Sequence, residues 1–505
     1  MPIDASQQVQ NEFDPALAHA HKAFSDIVEW LTPSSDQRRL AEVEEQLGQR
    51  LWALGLALLG LWLVHRRPRQ VERTLRGPDG RWYRRLGIER RVVKSIFGPL
   101  RYARDVYGIG RGKRGDTFAP LDRELGLQPG GFSLSCIVMA TCLCAKMAFA
   151  EVASTLKRFW GWAPSTKALL DMVDKVGPLA RRFLEAQPAP DDDGEILVLQ
   201  VDGRGAPMSS ETEMERRRRP HKKRPRGTSR WRRRKPGSPP RKRRRKGDKS
   251  KNAKVATVGV IYTLRCAPDG VVEGPIHKRV YATFGRAESL FQWLRTEADK
   301  RGYGTKRTLF LADGDLKLWE YQQRYFPLAE CCVDWCHIVE KLWKLGRLLY
   351  GEDSPELGAW VHEQTKDLRK GQINAIIGRL DDIAADLQSP RNQAKRETLE
   401  KGIRYLANNA HRMPYDKLAA DGLDIATGAA EGAVRQLVEL RLDGPGMRWS
   451  PARAEYVLQL RCVVLNGLWD EFQRYVIEHA HAAGLRAQKP PHLGSTHNAE
   501  ARCAA

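Results

Sequence analysis

Two aspartates in this sequence share a local setting that is typical of a metal site. Asp202 ends the apolar run ILVLQVD at residues 196–202, and Asp313 follows the apolar run TLFLA at residues 308–312. Each aspartate is the first charged residue after its run, and a glycine comes directly after it. Short apolar runs predict buried strands, so both carboxylates are expected at strand ends, where sites on α/β sheets form.

Carboxylate oxygens at such a position suit Mg²⁺, with Mn²⁺ as a substitute. Two ions about 4 Å apart would activate an attacking oxygen and stabilise the leaving oxygen of a phosphodiester. This cage needs a third acid, and the available candidates are Asp315, Glu320, Asp334, Glu340 and Glu431. Ordinary roles also remain open, since Asp334 suits the cap of a helix that begins at Trp335, and Glu431 suits an ion pair with Arg435.

The elements around these acids predict one mixed sheet. Residues 186–195 have the composition of a linker, after which a new domain begins. Its predicted elements are strands at 196–202, 256–264 and 277–284, a helix at 286–302, and strands at 308–315 and 330–334. Three antiparallel strands, a crossover helix and further strands that alternate with helices are typical of a ribonuclease-H-like sheet.

The rest of the chain is predicted to be mainly helical. The expected catalytic core is 196–337, with a disordered basic insertion at 211–254, an all-helical insertion at 338–425, and a closing helical part at 426–483. Residues 484–505 are expected to form a flexible tail. The fold class is therefore α+β or α/β, with a mainly helical N-terminal domain in front of the catalytic domain.

The N-terminal part is predicted to bind DNA. We expect a flexible start at 1–38 and a DNA-binding region at 39–185, which contains a helix to residue 64 and a hairpin with its turn at Gly98-Pro99. Residues 148–176 fit a helix-turn-helix broken at Gly161, with Thr166 and Lys167 at the start of the DNA-reading helix. An ordinary helical hairpin remains the alternative.

The apolar run at 51–64 is interpreted as a buried helix. It has 14 residues where a membrane span needs about 20, so no membrane partner is expected. Nine cysteines in a long chain without a secretory leader predict reduced thiols and a cytoplasmic protein.

The positive charge of the chain is concentrated in one segment. The formal net charge is +24, and residues 216–254 hold 22 Lys or Arg against one acid, a balance of +21 that leaves only +3 for all other residues. This excess predicts a polyanion as partner, and we expect the segment to clamp DNA phosphates. The basic residues assigned to this contact are Arg216, Arg217, Arg218, Arg219, Lys222, Lys223, Arg224, Arg232, Arg233, Arg234, Arg241, Lys242, Arg243, Arg244 and Arg245.

Several longer motifs resemble one family. In order along the chain they are LQVDGRG, FLADGD, CCVDWCHIVEKLW, the block from His411 to Arg461, and LNGLWDEF. Together they resemble bacterial insertion-sequence transposases of the Kra group, within the Mutator-like class of Asp-Asp-Glu transposases, over about residues 80–475. The block from His411 to Arg461 is the most specific part.

The resemblance implies an activity and selects residues. It implies that Asp202, Asp313 and Glu431 are the catalytic acids and hold two Mg²⁺ ions, and that Asp334 and His337 support them near the DNA backbone. It also implies cleavage at insertion-sequence ends and strand transfer into target DNA, by a homo-oligomer on double-stranded DNA in the bacterial nucleoid. Relatives commonly carry Ile-Gly-Ser-Gly before the glutamate, whereas this chain has Ile-Ala-Thr-Gly at 425–428.

Two other functions compete with this expectation. One is a domesticated DNA-binding relative with impaired catalysis, and the other is a nuclease or resolvase on the same fold. Strand transfer by the purified protein distinguishes all three, because only a transposase joins the cut end to a second DNA.

Overall fold

The computed structural model of this chain describes residues 2–77, 79–109, 116–127, 130–209, 253–444 and 447–483. These residues form two compact units. One unit comprises the chain up to Phe183 and the stretch that begins at Leu468, and the other comprises Leu184–Gly467. Both contain helices, and three sheets are present among the described residues, so the protein is of mixed α and β type.

The first unit contains the following elements before residue 186: β1 (Ile3–Asp4), α1 (Ser6–Leu31), α2 (Leu40–His65), β2 (Gln70–Val71), β3 (Thr74–Arg76), β4 (Trp82–Ser95), β5 (Gly98–Gly108), β6 (Thr117–Phe118), α3 (Pro120–Glu124), α4 (Leu134–Lys146), α5 (Phe149–Trp160) and α6 (Thr166–Glu185). Strands β3, β4, β5 and β6 form a four-stranded sheet in that order.

Two predictions for the beginning of the chain are wrong. The start is not a flexible segment, because α1 is a helix of 26 residues that packs along α2. Its buried residues are Val9, Ala20 and Ile27, which are too few and too widely spaced to give a strong apolar period. Helix α2 lies where the sequence predicted a helix, but it is not a buried one.

Helix α2 exposes much of its apolar surface. Only Ala57 and Leu63 are buried, and Leu51, Leu58 and Trp62 are each about half exposed. Because the apolar residues of α2 lie on all sides of the helix, the sequence did not show which side packs against the protein and which side is exposed. Among the described residues it is also the single helix long and apolar enough to cross a membrane, a test that core helices and signal sequences pass as well.

The hairpin and the helix pair are present. Strands β4 and β5 pair down to Ser95 and Gly98, so the turn is Ile96-Phe97, directly before the predicted position. Helix α5 ends at Gly161, whose φ of +75° is left-handed, and the Ser165 Oγ accepts a hydrogen bond from the Ala168 amide at 3.2 Å. Helix α6 runs nine residues beyond its predicted end at Val176.

The second unit contains β7 (Ile196–Pro207), β8 (Ala253–Cys266), β9 (Val272–Thr283), α7 (Ala287–Lys300), β10 (Arg307–Ala312), α8 (Leu316–Tyr325), β11 (Glu330–Val333), α9 (Trp335–Tyr350), α10 (Pro355–Arg369), α11 (Ile373–Asp386), α12 (Gln393–Asn409), α13 (Tyr415–Ala420), α14 (Gly428–Val434) and α15 (Pro451–Leu465). The last of the described helices, α16 (Trp469–Ala483), belongs to the first unit and packs on α4 there, whereas the sequence placed it in the catalytic part.

The five strands of the second unit form one mixed sheet. Their spatial order is β11-β10-β7-β8-β9, where β7, β8 and β9 are antiparallel and β10 and β11 run parallel to β7. All five predicted strands are therefore present. The centre of the sheet is the apolar run of β7, in which Leu197, Val198, Leu199 and Val201 are fully buried.

The predicted basic insertion lies almost entirely outside the described residues. Its assigned phosphate contacts, from Arg216 to Arg245, are all in the undescribed range, as is the predicted tail at 484–505. The helical block after the sheet is present as α9 to α13.

Candidate metal centre

Three carboxylates leave the sheet side by side. Parallel pairing aligns Val201 of β7 with Ala312 of β10, and Ala312 with Val333 of β11. The next residue on each strand is an aspartate, so Asp202, Asp313 and Asp334 form a row at one edge of the sheet. Strand β7 itself continues to Pro207, so Asp202 marks the end of its pairing with β10 rather than the end of the strand.

Asp334 is fully buried and accepts hydrogen bonds on both oxygens. Its Oδ1 accepts from the Thr427 amide at 2.6 Å, and its Oδ2 accepts from the His337 amide at 2.9 Å. Burial alone would raise the pKa of Asp334, but the hydrogen bonds from His337 and Thr427 outweigh it and lower this pKa. The expected cap of the helix that begins at Trp335 is therefore present.

His337 is a half-buried cation. Its Nδ1 lies 2.5 Å from the Asp334 Oδ2. The hydrogen bond with Asp334 raises the pKa of His337 to about 9 against the effect of burial, and the charges of Asp202 and Asp313 act in the same direction. With Nδ1 engaged by Asp334, the other ring nitrogen of the charged ring is a donor available to a phosphate.

Glu431 lies on α14 and reaches the same edge. Its carboxylate, the Asp334 carboxylate and the His337 ring have ligand atoms that all lie within 4.8 Å of one another. Burial and then the negative charge of Asp334 raise the pKa of Glu431, although the residue as a whole is exposed. The described residues show no ion pair between Glu431 and Arg435.

Asp202 is a carboxylate in an electronegative setting. Its pKa is raised, first by burial and then by the charges of Asp313 and Asp334, although the Gly203 amide and His337 oppose this effect. The Asp202 Oδ1 accepts from the Gly203 amide at 2.6 Å. A cation at this edge would relieve the repulsion among these acids.

Asp313 lies close to a tyrosine of the helical insertion, Tyr405. Its Oδ1 accepts from the Asp315 amide at 3.0 Å. The next residue must be glycine, because a Cβ on Gly314 would lie only 2.1 Å from the hydroxyl oxygen of Tyr405 on α12. Burial and then the Asp313 charge raise the pKa of Tyr405 to about 12.

The loop that carries α14 is fixed to the sheet by buried polar groups. Thr427, the N-cap residue of α14, makes no side-chain cap, and Gln200 of β7 takes that role from a distance. The Gln200 Oε1 accepts from the Ala430 amide at 3.0 Å, one residue before Glu431. Its Nε2 donates to the Tyr262 hydroxyl at 2.9 Å.

Two further contacts complete this loop clamp, by which we mean the contacts of Gln200, Tyr262, Asp334 and Trp335 with residues 424–430. The Tyr262 hydroxyl donates to the Asp424 Oδ2 at 3.1 Å. The Trp335 amide donates to the Ile425 carbonyl at 3.0 Å. The position of Glu431 is thus set by β7, β8 and the start of α9 together.

The donor set fits a hard divalent cation. Oxygen ligands dominate, and two of the acids have raised pKa values that a bound cation would lower. The geometry differs from the predicted ligand set in one respect, because the tight group among the described residues is Asp334, His337 and Glu431, without Asp202 and Asp313. The Asp334 carboxylate already takes part in three hydrogen bonds, two of them on Oδ2, so Oδ1 is the oxygen with acceptor capacity left for a metal.

The structure adds two residues that the motifs did not select. Gln200 is 1% exposed. The sequence could have indicated its role, because a polar residue inside the buried run ILVLQV needs a hydrogen-bond partner. Tyr405 gave no such signal, because it approaches Asp313 from a helix more than 90 residues away in sequence. The predicted DNA contacts Thr166 and Lys167 are exposed at the start of α6, in the first unit.

Comparisons with known proteins give little further information. No protein-family model matches this chain, and no characterised protein matches it in sequence. Among solved structures, the Drosophila P element transposase strand transfer complex is similar at 11% identity, with 68% of this chain and 94% of that chain covered and a TM-score of 0.27. A likeness this small does not assign a fold or an activity.

Proposed function

We propose that this protein is a metal-dependent DNA transposase of the Asp-Asp-Glu type, with a ribonuclease-H-like catalytic domain. One observation carries the proposal: Asp202 and Asp313 leave neighbouring parallel strands at matched positions, and α14 brings Glu431 to the same edge. The sheet supports it as well, since numbering its strands along the chain gives the spatial order 5-4-1-2-3, with only the second strand antiparallel to the rest.

Each residue has a distinct task in this proposal. Asp202, Asp313 and Glu431 would hold two Mg²⁺ ions, which supply charge stabilisation to the attacking and leaving oxygens of a phosphodiester. Asp334 is a positioning residue that orients His337 and fixes the loop before Glu431. His337, charged below about pH 9, holds a DNA phosphate at the edge of the site.

The wider assignment follows from charge. The basic segment at 216–246 leaves the sheet between β7 and β8 and would clamp DNA phosphates beside the site. Thr166 and Lys167 would contact bases of the insertion-sequence end. The protein would act as a homo-oligomer on double-stranded DNA in the bacterial cytoplasm, cutting a strand at the end and joining the released 3′ hydroxyl to target DNA.

The test is strand cleavage and joining by the purified chain with Mg²⁺. The substrate is a labelled duplex that carries the inverted repeats flanking the gene, and a plasmid serves as target. Asp202→Asn, Asp313→Asn and Glu431→Gln should each reduce both steps at least 100-fold and leave DNA binding intact, because the amide keeps the shape but removes the charge that holds the metal. Glu320→Gln, an exposed acid on α8, is the matched control and should retain activity.

The competing functions predict different products. Cleavage without joining would identify a nuclease or resolvase, and DNA binding without cleavage would identify a domesticated DNA-binding protein. Activity within twofold of wild type in any of the three acid variants would remove that residue from the metal site.

A further inference from the structure

The four-stranded sheet of the first unit has one covered and one uncovered face at the end formed by β3 and the start of β4. Tyr83 pairs with Leu75 across these strands, and the Tyr83 ring packs into a core cluster with Val71 and Tyr107. Side chains alternate between the two faces of a strand, so the neighbours of Tyr83 point the other way. The opposite face therefore carries Trp82 and Arg84.

Register places a third side chain beside them. Arg76 of β3 pairs directly with Trp82, and Arg84 lies two residues further along the same face. Directly paired residues on one face lie about 5 Å apart at Cβ, and next neighbours about 7 Å apart. The three side chains therefore form one contiguous surface, here called the Trp82 face.

The Trp82 face is exposed and positively charged. Trp82 is 69% exposed, although large aromatic side chains are usually mostly buried. In the part of the chain that the structure describes, Arg84 has no carboxylate within ion-pair distance, and Arg76 donates only to the Gly80 carbonyl, at 2.9 Å. Arg81 differs, since it pairs with both Asp79 and Asp116.

We propose that the Trp82 face binds single-stranded DNA, with an unpaired base stacked on Trp82 and the flanking phosphates held by Arg76 and Arg84. An indole between guanidinium groups offers a stacking surface and neutralising charge together, which is the chemistry of single-strand binding. This inference deepens the proposed function, because a DNA-processing enzyme creates unpaired ends, and it names a DNA surface distinct from the metal centre.

Charge selects this occupant over the others. The basic segment of the same chain is repelled by Arg76 and Arg84, and a second copy docked through the same face would place like charges opposite each other. A polyanion is favoured by both arginines. The aromatic ring distinguishes an unpaired strand from a duplex, because only unpaired bases present their faces for stacking.

The experiment compares variants of the full chain on two DNA probes. The probes are a fluorescent 20-nucleotide oligothymidine and a blunt duplex of the same length, at fixed salt. Trp82→Ala should weaken oligothymidine binding about tenfold, within the range for loss of one stacked base, and change duplex binding by less than twofold. Replacing Arg76 and Arg84 with glutamine should weaken both and flatten the salt dependence. Phe24→Ala, which removes a 60% exposed aromatic on α1, is the control and should change neither.

A second readout locates the contact. Photo-cross-linking of an oligonucleotide with 5-iodouracil should label the peptide that contains Trp82 in the wild-type chain and lose that label in the Arg76 and Arg84 double variant. Equal affinity of Trp82→Ala and Phe24→Ala, together with cross-links only elsewhere, would overturn the proposal. Loss of binding to anionic phosphatidylserine vesicles, with oligothymidine binding unchanged, would assign the face to a membrane surface instead.

The experiments can refute the single-strand binding of the Trp82 face and the transposase activity independently of each other. Oligonucleotide binding requires no cleavage, so an intact Trp82 effect in a chain that never cuts DNA would refute only the transposase. A chain whose cleavage depends on Asp202 but whose DNA binding ignores Trp82 would refute only this inference.

Discussion

The loop clamp makes Gln200 a sensitive test of how the metal centre is positioned. Gln200→Leu preserves the approximate volume of a fully buried side chain while removing its acceptor and its donor. The Ala430 amide and the Tyr262 hydroxyl would each lose a partner at 3.0 and 2.9 Å. Helix α14 would then begin with an unsatisfied amide next to Glu431, because Thr427 supplies no side-chain cap.

The size of the effect follows from these contacts. Loss of a helix N-cap costs about 1 kcal/mol, and a buried amide left without a partner costs about 1–3 kcal/mol. We expect the opening of residues 424–431 to become easier by about 2 kcal/mol, which is roughly a 30-fold increase in the open population. Because small displacements of a catalytic group can cost about 100-fold in rate, the cleavage rate should fall 10- to 100-fold.

Three measurements on Gln200→Leu test separately the opening of the loop, the binding of Mg²⁺ and the binding of DNA. Hydrogen exchange of the peptide that spans 424–434 should accelerate, the Mg²⁺ concentration for half-maximal cleavage should rise, and the DNA dissociation constant should stay within twofold of wild type. Tyr262→Phe removes the hydroxyl that joins Gln200 to Asp424 and should show a smaller change in the same direction.

Gln459→Leu is the matched control for lost stability. Gln459 is equally buried and donates at 2.6 Å to the Ala282 carbonyl in β9, the outermost strand on the side of the sheet away from β10 and β11. It should lower the free energy of unfolding by a similar amount and leave the Mg²⁺ requirement unchanged. Equal cleavage and equal exchange at 424–434 in both glutamine variants would refute the positioning role of Gln200.

Three further outcomes are expected. Asp193→Asn should lower the free energy of unfolding at pH 7 by about 3 kcal/mol, because it leaves the buried Arg301 unpaired. Burial alone would raise the pKa of Asp193, but hydrogen bonds from Arg301 and Thr263 and the charge of Arg301 outweigh it and lower this pKa to about 2. The stabilisation is therefore present above pH 4 and is lost as the pH falls from 4 to 2, so the unfolding free energies of wild type and variant in chemical denaturation should converge over that range. Deletion of residues 216–246 should weaken binding to all DNA sequences alike and flatten the salt dependence, and a selective loss for end DNA would show that this segment recognises sequence. Alanine at Thr166 and Lys167 should reduce the preference for end DNA over random DNA by about 10- to 100-fold in competition binding, and an unchanged preference would leave the helix pair with a structural role only.

The pattern of apolar residues was enough to predict the five strands of the sheet and the carboxylates at the ends of its parallel strands. The five strands of the second unit were predicted because each contains a run of apolar or β-branched residues that ends at a polar residue or a turn signal. The row of carboxylates follows from that pattern, since residues that end neighbouring parallel strands meet at one edge. Asp334 belongs to this row, but its role depends on which groups it bonds, and spacing alone left both the helix cap and the metal ligand open.

Long-range polar contacts could not be predicted in the same way. The bond between Gln200 and the Ala430 amide joins residues 230 positions apart, and Tyr405 meets Gly314 from a separate helical block. Both depend on how helices pack against the sheet, which neither spacing nor composition specifies. The wrong prediction that α2 is buried has the same cause. Its apolar sequence indicates a helix, but it does not specify which other elements pack against it.

The burial of Asp334 explains how the edge accommodates three neighbouring acids. Ionised carboxylates close to one another repel, and both Asp202 in the row and Glu431 on α14 have raised pKa values. Asp334 escapes this effect because two backbone amides and the His337 ring stabilise its charge. The resulting positive charge on His337 partly neutralises the acids at this edge. A buried acid that holds a positive ring and fixes the Thr427 amide thereby leaves the outer carboxylates free to take a metal.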